Sequence, residues 1–270
     1  MIESIADYEF NKAPLVKGMI LIFQAIRPEF PVTSVGYQLA QLIEQAETYI
    51  PHQASIKEKI DALLTLFYKQ WHFSGASGRY CLSETLWIDN VLSTHVGSPV
   101  SLGSILIYIA QALNLPLAPV IFPTQLIIRI DIPEEQPLFI NPINGEYLSR
   151  HTLEVWIKGN VGNSSVLTES DLEESEHSSI IRKLLDTLKV TLMEEKNMER
   201  ALKTSETLLM FDPEDPYEIR DRGLIYAQLD CHHVALTDLN YFIEQCPEDP
   251  ISEMIKIQIH SIEQNAIVLH

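Results

Sequence analysis

The hydrophobic positions of the first 95 residues recur every three or four residues, which is the spacing of amphipathic helices. Pro14 stands near the start of one such segment, whose apolar face runs through Leu15, Met19 and Ile26. Two similar segments follow, around residues 34–50 and 56–71, and a fourth begins at Ser83. The pattern therefore predicts that the first part of the chain is helical.

The next segment, Ser98–Leu115, is apolar almost all round and has Ser98 and Pro99 near its start. A serine followed by a proline is typical of the first turn of a helix. A helix that is hydrophobic on every face is surrounded by protein. The sequence predicts a fully buried helix here.

Two runs rich in Val, Ile and Phe follow Pro116, at residues 119–130 and 137–143, and an acidic turn separates them. Flanking Pro and Gly are expected of paired strands. Gln125 interrupts the first run and Asn141 the second. Because buried amides need hydrogen-bond partners, we predict that these two side chains bond to each other, to Ser101 or to nearby main chain.

The composition changes after residue 158. The stretch "GNVGNSSVLTESDLEESEHSS" contains five acidic residues, no Lys or Arg, and many Gly, Asn and Ser. This composition is typical of a linker or an exposed loop. We expect a first domain over residues 1–158, an acidic linker over 159–178 and a second domain over 179–270.

The last part of the chain contains a repeat. The stretch "FDPEDP" recurs as "QCPEDP", so that Pro213 and Pro247 stand 34 residues apart, as do Ala201 and Ala235. A 34-residue period with a proline at the end of each unit is the signature of the tetratricopeptide helix-turn-helix. The segment after Pro250 is expected to be a capping helix, because stacked repeats need a closing element.

The charge limits the choice of partner. The chain carries 19 Lys and Arg against 37 Asp and Glu, and residues 159–270 alone carry 9 against 22. Such a chain lacks the basic surface that nucleic acids and anionic membranes require. We therefore expect no nucleic-acid partner, and a basic patch on a partner protein suits the C-terminal part. The alternative is that the charge serves only solubility.

Other features set the class of protein. No apolar run approaches the ~18 residues that span a bilayer, so we expect no membrane partner. Three cysteines form no disulfide framework, which favours a reducing, cytoplasmic location. Nucleotide-binding and zinc-protease motifs are absent from the sequence, and "DCHHVA" is a weak metal signal because zinc sites use two separated pairs of ligands. We expect no cofactor and no metal.

The runs "HVGSPVSLGSILIYIAQALNLPL", "VIFPTQLIIR" and "FINPINGEYLS", followed by the repeat, resemble the SirB-type family of bacterial proteins. That family joins a transglutaminase-like domain to C-terminal tetratricopeptide repeats. The resemblance covers nearly the whole chain and implies an α+β fold: a helix-rich first domain with a small antiparallel sheet, followed by an all-α repeat domain. It implies no established activity.

The resemblance also implies positions for a catalytic triad. Active transglutaminase-like folds place a Cys at the start of a buried helix, a His on the next strand and an Asp on the strand after it. Here the three positions fall on Pro99, with Ser101 the nearest hydroxyl, on Gln125 and on Asn141. Proline has no nucleophile, and an amide neither takes up nor releases a proton near neutral pH. We expect no catalytic residue among them.

The leading hypothesis is a non-catalytic adapter that binds a protein partner through its repeat domain. A second hypothesis is a hydrolase or acyltransferase of the peptidase type that uses Ser101, or Cys81 near a helix N-terminus. A third is a small-molecule binder whose vestigial cleft contains Ser101, Gln125, Arg129 and Asn141. Arg129 is included because two-residue periodicity places it on the same face of the strand as Gln125.

Overall fold

The computed structural model describes Ile5, residues 8–77 and residues 82–268 of the chain. In these residues the helices are α1 Leu15–Ile26, α2 Val32–Tyr49, α3 Ile56–Thr65, α4 Ile88–Thr94, α5 Pro99–Ala112, α6 Arg150–Asn160, α7 His177–Glu194, α8 Met198–Leu208, α9 Pro216–Gln228, α10 His232–Gln245 and α11 Pro250–Val268. The strands are β1 Ser74–Gly75, β2 Val96–Gly97, β3 Leu117–Ile121, β4 Leu126–Ile130, β5 Leu138–Ile140 and β6 Tyr147–Leu148. The predicted α+β class, helix-rich with a small antiparallel sheet, is confirmed.

The chain divides into two compact units. The first unit comprises Glu9–Gln24 and Glu29–Ile181, and the second comprises the residues from Arg182 onward with Ile5, Tyr8 and Ala25–Pro28. The division near residue 181 falls within α7, a continuous helix, and not within a linker.

The sheet of the first unit has the order β3-β4-β5-β6, and each neighbouring pair is antiparallel. The run at residues 119–130, predicted as one strand, is a hairpin whose strands pair Leu117 with Ile130 and Ile121 with Leu126. The chain leaves the first strand at Phe122-Pro123, because proline has no N–H to donate to a ladder. A short parallel pair, β1 with β2, was not predicted.

Helix α5 lies against one face of this sheet and is buried along most of its length, as predicted. Its Ser98 N-cap accepts a hydrogen bond from the main-chain N–H of Ser101, and Pro99 occupies the first turn. At Gly103 an added Cβ would lie 2.7 Å from Leu126 and would also contact Ile128. The absence of a side chain at residue 103 therefore allows the helix to approach the strands this closely.

The opposite face of the sheet packs on α6 and on the acidic segment. A cluster of buried apolar side chains joins Val120 and Ile127 of the sheet to Leu153 of α6 and to Leu167 and Leu172. The main-chain N–H of Ser175 donates to the oxygen of Pro119, and its hydroxyl accepts from the N–H of Ile121.

The structure therefore contradicts the linker predicted over residues 159–178. Two leucines anchor the segment in the core of the first unit. In the short 3-10 helix Glu169–Leu172, Glu169 is exposed and Asp171 accepts hydrogen bonds from Thr168. The acidic composition reflects the exposed side of a packed segment.

The second unit contains the predicted helical repeat. Helix α9 packs closely on α10, because an added Cβ at Gly223 would lie 3.0 Å from both Asp238 and Leu239. Arg222 donates two hydrogen bonds, of 2.7 and 2.8 Å, to the carboxylate of Asp238. Helix α11 closes the array on α10 through Ile255, which contacts the buried Leu239 and Phe242.

A buried ionic network links three helices of the second unit. The ammonium group of Lys189 on α7, whose residue is only 3% exposed, contacts carboxylates of Glu218 and Asp221 on α9. The hydroxyl of Ser205 on α8 donates to the other oxygen of Glu218. Burial lowers the pKa of Lys189, but the hydrogen bonds and charges of Asp221 and Glu218 outweigh burial and raise it above its ordinary value.

We predict that Lys189→Met lowers the free energy of unfolding of the second unit by about 3–5 kcal/mol, because it leaves two carboxylates without a buried counter-charge. Lys203→Met is the matched control, since Lys203 is largely exposed and pairs with the nearby Glu206. We expect Lys203→Met to lower the free energy of unfolding by less than about 1 kcal/mol. Denaturant titrations of both variants measure the difference, and equal losses would contradict a role for burial.

The same network predicts a dependence on pH. A lysine whose folded pKa is raised contributes stability that is complete below its unfolded pKa and is lost as pH rises through the folded value. The advantage of the wild-type protein over Lys189→Met should therefore be constant up to the ordinary lysine pKa of 10.5 and shrink above it. Denaturant titrations between about pH 7 and about pH 11.5 test this. A decline that is complete by about pH 9 would show that burial prevails instead.

Candidate functional site

The start of α5 holds the first of the triad positions. Pro99 is the first residue of the helix, and Ser101, 0% exposed, lies two residues further. The hydroxyl of Ser101 donates to the main-chain oxygen of Leu86 at 3.0 Å and lies 3.0 Å from the hydroxyl of Ser98. Within the described part of the chain, the hydrogen bonds of this hydroxyl include none to a His, Asp or Glu. Among the described residues, no base is therefore hydrogen-bonded to Ser101.

The two amides lie together at the ends of neighbouring strands. The Nε2 atom of Gln125 donates to Oδ1 of Asn141 at 3.3 Å, which is one of the alternatives predicted for these amides. Gln125 lies in the turn just before β4, and Asn141 directly follows β5. Both are half-buried and not fully buried, since neither lies inside a strand.

Asn141 also organises the turn that follows it. Its Oδ1 accepts a hydrogen bond from the N–H of Ile143 at 3.1 Å, which is the geometry of an Asx turn. Its main-chain oxygen accepts from Gly145, and its N–H donates to Glu146. The side-chain oxygen Oδ1 of Asn141 thus accepts hydrogen bonds from both Ile143 in the turn and Gln125. Asn141 therefore has a structural role in the turn.

The close approach at Gly103 brings these positions to one place. An added Cβ at Gly103 would meet Leu126, the residue after Gln125, and Pro142, the residue after Asn141. Pro99 precedes Gly103 by about one helical turn. We therefore expect the positions that the family resemblance assigned to the triad to converge beside the first half of α5.

The buried Tyr68 packs against this turn and forms a hydrogen bond with it. Its hydroxyl donates to the main-chain oxygen of Pro142 at 2.8 Å, and burial raises its pKa. Its ring lies where a Cβ of Gly145 would stand, and Gly145 has a φ of +75°. Sequence reasoning missed Tyr68. It lies in a π-helical segment, Leu66–Gln70, and its partner is 74 residues away, so no local pattern indicates the contact.

The structure does not place Arg129 with the amides. Its guanidinium donates to both oxygens of Asp131 at 2.9 Å and to the main-chain oxygen of Leu172 at 2.9 Å. The hydrogen bond to Asp131 raises its pKa. Arg129 thus takes part in an ordinary salt bridge with Asp131, and none of these bonds joins it to Gln125 or Asn141.

Cys81, the candidate thiol, lies outside the described residues. Cys231 and Cys246 of the second unit are free thiols. Among the residues with described positions, no group of three or more His, Cys, Asp or Glu is placed to hold a metal ion. In the same residues, no helix is both long and apolar enough to cross a membrane.

Comparison with protein families agrees with this architecture. A model of the transglutaminase-like superfamily matches residues 33–186, and a model of the tetratricopeptide repeat matches residues 188–260. The chain belongs to the transglutaminase-like superfamily. The residues that the first model matches include α5, the sheet and both amides, so the site described above lies within the family's own domain.

The relatives cover the whole chain. Protein SirB1 of Salmonella typhimurium is 58% identical over 267 residues, and the UPF0162 protein YchA of Escherichia coli is 57% identical over 267 residues. In both cases the alignment spans 99% of each chain. The UPF0162 protein of Vibrio cholerae is 39% identical over 99% of each chain. The SirB-type resemblance is thus confirmed. No solved structure matches the chain.

We predict that Pro99→Cys, combined with Gln125→His and Asn141→Asp, creates a thiol that iodoacetamide labels at least about tenfold faster at pH 7 than Pro99→Cys alone, because the imidazole supplies a base. The control combines the same two substitutions with Ser93→Cys on the exposed side of α4, where no enhancement is expected. Peptide-resolved mass spectrometry measures the rates. Equal rates in the triple and single variants would contradict convergence of the three positions.

Proposed function

We propose that this protein is a non-catalytic adapter whose second unit binds another protein. The observation that carries the proposal is the bond between Gln125 and Asn141, at the positions where an active relative needs its His and its Asp. Two neutral amides cannot shuttle a proton or stabilise an imidazolium. A transglutaminase-like fold that lacks the catalytic His and Asp but keeps its helices and sheet is suited to binding.

The surface of the second unit supports the binding role. Met254 and Ile257 on α11 are 65% and 71% exposed, and Ile251, in the first turn of the same helix, is exposed as well. Clustered apolar side chains on the surface mark sites of interaction with other proteins. Tetratricopeptide arrays commonly present such faces to peptides.

The competing hydrolase or acyltransferase hypothesis is less well supported. It requires a nucleophile within hydrogen-bond reach of a base. Ser101 is buried, and its hydroxyl already donates to the main chain of Leu86. For the small-molecule hypothesis, Arg129 is already engaged with Asp131 and Leu172. We therefore retain the adapter as the function and propose a cytoplasmic location in bacteria, the source of the relatives named above.

Site-specific photo-crosslinking tests the proposal. A photoreactive amino acid replaces Met210 or Met254 in the second unit. In the matched control it replaces Tyr37 on α2 of the first unit, which is as exposed as Met254. We expect the full chain to capture a specific protein from bacterial cells through a second-unit position and not through Tyr37. Capture only through Tyr37, or none at all, would contradict the adapter. Stoichiometric labelling of Ser101 or Cys81 by a serine- or thiol-reactive probe, lost on denaturation, would contradict the absence of catalysis.

A further inference from the structure

The second unit contains a groove between α7, α9 and α11, with the starts of α8 and α10 at one end. Its volume is about 500 Å³, within the ~300–1,000 Å³ of pockets that hold ligands. Apolar side chains form much of its lining: Met193, Met198, Leu224, Ala227 and Ile262. The remaining lining residues are Gln228, Asp230, His232, Gln258 and Ser261.

The apolar lining suits an adaptable contact with another chain. Two methionines, Met193 and Met198, lie on either side of the turn between α7 and α8, and both are half-buried. Methionine is unbranched and polarizable, so such surfaces can adjust to different apolar side chains. Ser261 and Ala227 leave room between the walls. The groove is thus shaped for apolar anchors of a peptide segment.

The charge around the groove is predominantly negative. Asp230 is the only acidic or basic residue in the lining besides His232. Carboxylates directly follow three lining residues: Glu194 after Met193, Glu199 after Met198 and Glu263 after Ile262. Lys196 and Arg200 are the cations nearest to them in the sequence, and Glu263 lies 3.9 Å from His260. Residues 182–270 together carry 9 Lys and Arg against 17 Asp and Glu.

We propose that this groove binds a segment of the partner protein that combines apolar anchor residues with flanking Lys or Arg. The inference rests on the adapter function proposed above and specifies its partner. The apolar side chains of the segment lie against the methionines and Leu224, and its cations face Asp230 and the acidic surface of the second unit. Complementary charge selects such a segment and repels an acidic one.

Synthetic peptides test the inference on the full chain. The first peptide is an amphipathic helix with Leu at helical spacing and Lys or Arg at the flanks, and the second has Glu in place of every Lys and Arg. Fluorescence anisotropy at low and high salt measures their affinities. We expect binding of the basic peptide, weakened by salt, and no binding of the acidic one. Equal binding of the two peptides would overturn the inference.

Substitutions separate groove binding from general attraction to an acidic protein. Ser261→Trp fills the groove at an exposed position and should lower the affinity at least about tenfold at either salt concentration. The triple variant Glu194→Gln, Glu199→Gln and Asp230→Asn should lower the affinity for the basic peptide about tenfold and reduce the salt dependence of that affinity. The matched control, Glu214→Gln with Glu244→Gln and Glu248→Gln, removes the same charge from exposed positions outside the groove and should change it less than about twofold.

An unchanged affinity in Ser261→Trp, or an equal loss in the control, would overturn the inference, because the peptide would then bind elsewhere. The photo-crosslinking experiment separates the two proposals. A partner captured through Met210 or Met254 with no binding of the basic peptide leaves the adapter standing and removes this inference. The absence of both removes the two together.

Discussion

The enclosure of α5 is the constraint on which the first unit depends. The helix has almost no polar face, so every side of it must be covered by protein. The sheet covers one side, and α2 and α4 contact the helix as well. At Gly103 the helix and the strands approach so closely that a methyl group would collide with Leu126. This close packing fixes the ends of β4 and β5 relative to the helix and thereby places Gln125 and Asn141.

The second unit is held together by a different kind of interaction. Its helices bury apolar side chains, but Lys189, Glu218 and Asp221 form a charged cluster in the interior. A buried ion pair adds little net stability compared with apolar packing, yet it is costly to break. It also restricts the register in which α7 and α9 can pack, because any shift would separate the charges. A repeat array whose copies differ in sequence, as these do, benefits from such a restriction.

Much of the fold could be predicted from the sequence, because its signals are local. The capped apolar run of α5 and the 34-residue period each depend on spacing within a short window. The hairpin within residues 119–130 was missed, since an apolar run looks the same whether it forms one strand or two. The composition of the segment with Leu167 and Leu172 predicts a linker, because its charged residues outnumber its buried leucines.

The site could be predicted only in part, and for the same reason. The bond between Gln125 and Asn141 followed from the rule that enclosed amides need partners. The contact of Tyr68 with Pro142, the attachment of Arg129 to Leu172 and the pairing of Lys189 with Glu218 each join residues at least 29 positions apart. No local pattern encodes such contacts, because they arise from the tertiary packing itself.

The amide pair has a consequence for the chemical durability of the first unit. A catalytic thiolate is readily oxidised: peroxide converts it first to a reversible sulfenic acid and then to sulfinic and sulfonic acids, which are essentially irreversible. Proline, glutamine and asparagine offer no such atom, and an amide has no protonation state to lose at the pH of a living cell. The amide pair therefore presents the same donors and acceptors under oxidative or acid stress, conditions that inactivate enzymes built on a reactive cysteine.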